Sequence, residues 1–123
     1  MISVLATREG LIGKHTSSGY VIDTIVPYVA LPSVLALHRF VKNTNPAMHV
    51  STYGIVLDVG PHYTNDDAYV LDPTGQTRPR AELLGTDDFG RIVTNRAGID
   101  LGDAVWHRLA MTDNSNVIWE FLL

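Results

Sequence analysis

Short apolar stretches cut off by turn formers are what this chain is built from. Ile2–Thr7, Tyr20–Tyr28, Leu37–Thr44, Thr52–Asp58 and Asn116–Leu122 are β-rich, and each is bounded by Gly, Pro, Asn or Asp. That pattern belongs to an all-β barrel or sandwich. In the last stretch Val117, Trp119 and Phe121 alternate with Ile118, Glu120 and Leu122, so one face is buried. Asn43-Thr44-Asn45-Pro46, followed by Ala47-Met48, reads as a turn between two strands. One helix is predicted, from Asp103 to Met111. Val105 and Leu109 lie one turn apart, as do Trp106 and Ala110, and Asp103 and Arg108 suit the two ends of the helix dipole. Trp106 and Trp119 fall on apolar stripes and belong in the core, whereas His107 belongs on the surface.

At 123 residues the chain suits one domain, 1–123, with a single core. Hydrophobic residues at 46% against charged residues at 18% mark a folded globule rather than a disordered tail. The net charge is −4 and no run of Lys or Arg occurs, so the basic stripe that a phosphate backbone needs is missing and no nucleic-acid partner is expected. Without cysteine there are no disulfides, no thiolate chemistry and no Cys-based zinc site, and either redox compartment is open. The apolar start Ile2–Ala6 meets Arg8 and Glu9 too soon for a signal-peptide core, and no membrane-spanning segment is visible. His15, His38, His49, His62 and His107 show no metal spacing, and Asn65-Asp66-Asp67 lacks the Gly and terminal Glu of a calcium loop; neither metal nor other cofactor is expected.

The stretch YGIVLDVGPHYTNDD, Tyr53–Asp67, ends an apolar strand on one carboxylate, Asp58, and turns at Gly60-Pro61. Asp58 has two readings: a turn carboxylate accepting backbone N–H groups, or a functional acid at a rim. Residues 62–97 follow it, rich in Asp, Thr, Gly and Pro. A loop that long in a small domain either serves a function or holds small elements of its own, so it reads as a rim insertion beside Asp58.

Three segments in order resemble the rare lipoprotein A-like double-psi β-barrel domains, relatives of expansins and barwin-like endoglucanases. TSSGYVID (Thr16–Asp23) is similar to the family's T-A-S-G-E-x-F-D. LPSVLALHRFVKNTNP with IVLDVGP resembles its L-P-x-G-T-x-V-x-V-T-N and V-x-D-R-G-P, and GIDLGDAVWHRLAM resembles its I-D-L-S-x-A-A-x-x-x-L-G-M. The resemblance covers most of the chain outside 62–97. It implies a six-stranded double-psi β-barrel with one short helix at about 103–111 and a rim insertion at about 62–97. It also implies a peptidoglycan or other β-1,4 glycan partner, and lytic transglycosylation with Asp58 as acid and base. Asp58 would protonate the glycosidic oxygen, then take the C6 hydroxyl proton of the muramoyl residue as a 1,6-anhydro ring closes. That role needs a carboxyl protonated near neutral pH, hence raised by burial. The runner-up is a non-catalytic glycan-binding or phage virion module on the same barrel; the missing leader suits a phage-encoded protein.

Two departures bear on the site. Val59 replaces the family's arginine, and Tyr20 stands where the family often has glutamate, its second carboxylate. Asp23, Asp66, Asp67 and Glu9 are the candidates for that second carboxylate, with Asp23, which matches a family aspartate, placed first; an anchor of its own turn is the other reading of Asp23. Thr16, Ser17 and Tyr20 match the groove edge. Asp100 matches a family aspartate, and the residues themselves favour a structural role at the helix start. His62 follows the turn and could touch a sugar or tune Asp58. Tyr63 and Tyr69 are expected to stack on a pyranose ring, with Asp66 beside them. The insertion is thus expected to form a groove wall; a purely structural one would hug the barrel through Leu71, Leu83, Leu84 and Phe89.

Overall fold

A computed structural model describes residues 2–123. The elements are β1 (Val4–Arg8), β2 (Tyr28–Leu31), β3 (Phe40–Asn45), β4 (Val50–Val59), α1 (Asp67–Val70), β5 (Ala97–Leu101), α2 (Asp103–Arg108) and β6 (Ser115–Phe121), with 3-10 turns at Val34–Ala36 and Arg80–Leu83. The strands close into a six-stranded barrel in the order β1-β5-β2-β4-β3-β6. Pairs β1/β5 and β2/β4 are parallel, and the other four are antiparallel.

Alternation explains which face each strand buries. Val4 and Ala6 of β1, Val56 of β4, Ile99 and Leu101 of β5, and Val117 and Trp119 of β6 all enter one core. Trp106 enters it from α2, while His107 is exposed. Helix α2 is shorter than the predicted 103–111. Ala110 takes a left-handed φ of 54°, and Ala110 N–H and Met111 N–H close back on the carbonyls of His107 and Trp106, which ends the helix one turn early.

Both parallel pairs slip by one residue. Val29 pairs with Val56 but Ala30 pairs with Asp58, and Leu5 pairs with Ala97 but Ala6 pairs with Ile99. Each slip skips a residue, Leu57 or Gly98, whose carbonyl then accepts a side-chain hydroxyl: Ser18 Oγ–H donates to Leu57 O at 2.6 Å and Tyr69 O–H to Gly98 O at 2.9 Å. These are bulges put to use as docking points.

Several expectations change. Tyr20–Tyr28 is not a strand; β2 begins at Tyr28. Gly19 turns the chain at φ 87°, and the Asp23 carboxylate caps the N–H groups of Ile25 and Val26, so this stretch folds on itself. The stretch from Leu37 becomes extended at Phe40, because Ser33 caps the 3-10 turn before it. The strand absent from the β-rich stretches above is β5, Ala97–Leu101, which carries the GIDL motif. The insertion holds α1 and a 3-10 turn of its own. Its Tyr69 and Val70 join the main core, and Tyr63, Ala81 and Val93 make a small cluster. Leu71 packs on the barrel as a structural insertion would require, but Leu83 is 82% exposed and Phe89 is 75% exposed.

Candidate functional site

Ala30 fixes the level of the site. It pairs with Asp58 of β4 on one side and with Asp100 of β5 on the other, and Asp100 pairs in turn with Thr7 of β1. Four neighbouring strands therefore set both aspartates at one height in the wall. Glu9, one residue past β1, is anchored there by its N–H on Leu101 O at 2.9 Å. The segment Thr16–Asp23 meets the same place, because Ser17 N–H donates to Asp58 Oδ1 at 2.9 Å. The three motif segments thus come together around Asp58 and Asp100.

The carboxyls differ in proton affinity. Burial, and then the Asp58 carboxylate beside it, push Glu9 up to about 8; the Tyr28 hydroxyl works the other way and the charge of Asp100 adds to the rise. Burial also pushes Asp58 upward, but the neighbouring Glu9 carboxyl and the N–H groups of Ser17 and Val59 outweigh it, and Asp58 lies below the usual carboxylate range. Of the pair, Glu9 is therefore the carboxyl that holds its proton to higher pH. Asp100 is pushed up to about 6 by burial, with the Thr7 hydroxyl and His62 opposing and the Asp58 charge adding. Arg8 is the nearest cation in sequence, and its guanidinium is spent on Asp103 in two bonds of 2.8 and 2.9 Å. Tyr28 is fully buried beside the Glu9–Asp58 pair. Gly102 is required against the Tyr28 ring, since a Cβ there would lie 2.4 Å from Cε1.

An open cleft of about 480 Å³ runs over these groups, lined by Thr7, Glu9, Pro61, His62, Asn95 and Asp100 among others. Asp58 is not in that lining and meets the cleft through Glu9. His62 shares a hydrogen bond of 3.2 Å between Nε2 and Asn95 Oδ1, which fixes its ring at the cleft edge.

The structure changes several expected roles. Asp58 is not the raised acid; Glu9 is the residue that keeps a proton. The partner of Asp58 is Glu9 rather than Asp23, whose Oδ1 is taken by Tyr20 O–H at 2.5 Å and by the N–H groups of Ile25 and Val26. Asp23 is the turn anchor, held below the usual range by those donors, the Tyr20 hydroxyl first. Tyr20 is tied to Asp23 and meets Tyr28 edge-on at 5.4 Å. Asp66 accepts from Arg80 N–H at 2.8 Å and Asp67 from Ser33 Oγ–H at 2.6 Å, so both brace the insertion. Thr16 is buried and its backbone closes the Thr16–Tyr20 turn, while Ser17 presents its N–H to Asp58. Asp100 does not cap α2, which starts at Asp103 after Gly102; it accepts from Thr7 Oγ1 across the strands. Tyr63 and Tyr69 cannot stack on a sugar. They are 2% and 4% exposed, and their hydroxyls donate to Thr86 O and Gly98 O.

No curated protein matches the chain. A family model described as Domain of unknown function (DUF8814) matches residues 1–119, nearly the whole of the barrel just described, and the chain belongs to that family.

Proposed function

We propose that this domain is a glycan-cleaving lytic enzyme acting on peptidoglycan, built on a double-psi barrel, with the Glu9–Asp58 pair as its proton-transfer centre. Two parallel pairs with matching slips support the double-psi reading. The observation that carries the function is the pair itself: Glu9 lines the cleft with Asp58 behind it, and their proton affinities are pushed in opposite directions. Such separation of proton affinity assigns acid and base roles.

The pair gives its single proton to the glycosidic oxygen as the C1–O bond breaks. Left with two adjacent negative charges, it becomes a strong base. It then takes the proton of the substrate's C6 hydroxyl while that oxygen bonds C1 and closes the 1,6-anhydro ring. Proton and charge balance, and the pair is restored. With the C6 hydroxyl as internal nucleophile, the reaction needs no water placed between two acids as in an inverting hydrolase.

The test is mass spectrometry of purified peptidoglycan after incubation with the protein and with Asp58→Asn. Anhydromuropeptides from the native protein alone are expected, fading above pH 8 as Glu9 ionises. No such product between pH 5 and pH 8 would refute the reading. Saturable glycan binding without cleavage would favour the non-catalytic alternative, to which the turn-bound Tyr20, in place of a glutamate, points.

A further inference from the structure

A second cavity lies on strands the groove does not use. It measures about 430 Å³ and runs between β6, the residue before β3 and the chain following α1. One side is an aromatic ladder: Tyr69 and Trp119 meet edge-on at 5.8 Å, and Trp119 and Phe121 at 5.1 Å. Leu71 and Pro73 line it as well. The loop carrying them is stiff, because the Asp72 carboxylate accepts the N–H groups of Thr74, Gln76 and Thr77 and the hydroxyls of both threonines, all within 3.2 Å. A preformed apolar hollow of this size with few polar groups is the usual form of a small-molecule site.

Three charged residues border it, and they are not equivalent. Asp72 is spent on its own loop. Glu120 stands opposite Lys42, its register partner across the β3–β6 pair. Arg39 is exposed, its guanidinium 3.6 Å from the Phe121 ring centroid, and it makes no ion pair among the described residues. A guanidinium laid over a ring keeps its fork of N–H donors for a planar anion at its edge. We propose that this cavity binds a small aromatic carboxylate, with the ring against Trp119 and Phe121 and the carboxylate on Arg39. The site shares no lining residue with the acid groove and does not depend on the glycan reading.

The probes are 2-naphthoate and its neutral amide, titrated into the native protein and followed by two-dimensional NMR. Saturable shifts centred on the Trp119 indole N–H, Leu71 and Gly75 are expected with naphthoate, and binding at least about tenfold weaker with the amide, since charge-assisted bonds are the strong ones. Arg39→Gln should lose affinity for naphthoate by a similar factor while melting like the parent. No saturation at millimolar naphthoate overturns the proposal. So does equal binding of the amide, or shifts centred on Glu9 and His62. Because the amide test uses the unaltered chain, the outcome stands even if Arg39→Gln folds poorly.

Discussion

Replacing Glu9 by Gln removes a carboxyl whose proton affinity the fold raises to about 8, and the sign of the effect follows from linkage. The folded state holds the Glu9 proton until about pH 8, whereas an unfolded chain releases it near the ordinary 4.5. Between those values the unfolded state binds fewer protons, so stability falls as pH rises, then levels off above 8. The full span corresponds to a ceiling of about 5 kcal/mol, at about 1.4 kcal/mol per pH unit. Glu9 is only partly buried at an open cleft, and solvent screening reduces this to about 2 kcal/mol. For a domain of this size that is roughly 6–10 °C in Tm. Thermal melts by circular dichroism, from pH 4.5 to 9 at fixed ionic strength, should show the parent losing this amount relative to Glu9→Gln. The two should nearly coincide at the acid end, and the variant should be the more stable at pH 8–9. Parallel curves for the two proteins would mean that Glu9 titrates normally, and the paired-carboxyl site would be refuted.

Asp58→Asn removes the charge next to Glu9, so the Glu9 carboxyl titration, read by NMR, should move down from about 8, while a Glu9 titration that stays in place would show burial acting alone. Tyr69→Phe deletes a hydroxyl that donates to Gly98 O and accepts from Trp119 Nε1–H, and should cost about 2–3 kcal/mol in chemical denaturation with no change in glycan binding; weakened binding in the folded variant would restore a stacking role. Gly102→Ala drives a methyl into the Tyr28 ring and should cost about 1–3 kcal/mol, with an altered Glu9 titration because that ring neighbours the pair. An unchanged Glu9 titration would separate Tyr28 from the site.

Asp58 was visible in the sequence because its chemistry is local: a carboxylate on a strand end before Gly60-Pro61. Its partner was not. Glu9 stood among four candidate acids, and it meets Asp58 only because β1 pairs with β5, more than ninety residues along the chain, while β5 in turn flanks β2. No spacing rule encodes that. Strand β5 was hidden for a related reason: Gly98 and Asp100 break its apolar pattern, although Ala97, Ile99 and Leu101 keep the period of two. Tyr20–Tyr28 misled in the opposite way, since its β-prone residues are overruled by one aspartate capping its own turn. Tyr63 and Tyr69 looked like surface aromatics because their neighbours are polar. Their burial comes from folding the insertion back onto the wall, where each hydroxyl finds a carbonyl.

The Tyr69 hydroxyl, seated where the β1–β5 register skips Gly98 and bonded also to Trp119, rivets the insertion to two separate strands. Asp66 N–H on Pro32 O and Ser33 Oγ–H on Asp67 add fasteners at its leading end. The stretch around α1 therefore belongs to the same cooperative unit as the barrel and cannot swing clear without melting it. The hairpin around Thr86–Ile92 is closed through Asp87 and Arg91, is tied to Tyr63 and Thr64 through Thr86 O and the Asp88 carboxylate, and carries Phe89 and Ile92 outward. Within one insertion the chain thus divides into a buttress bonded to the barrel strands and a hairpin bonded back to the insertion's own first residues.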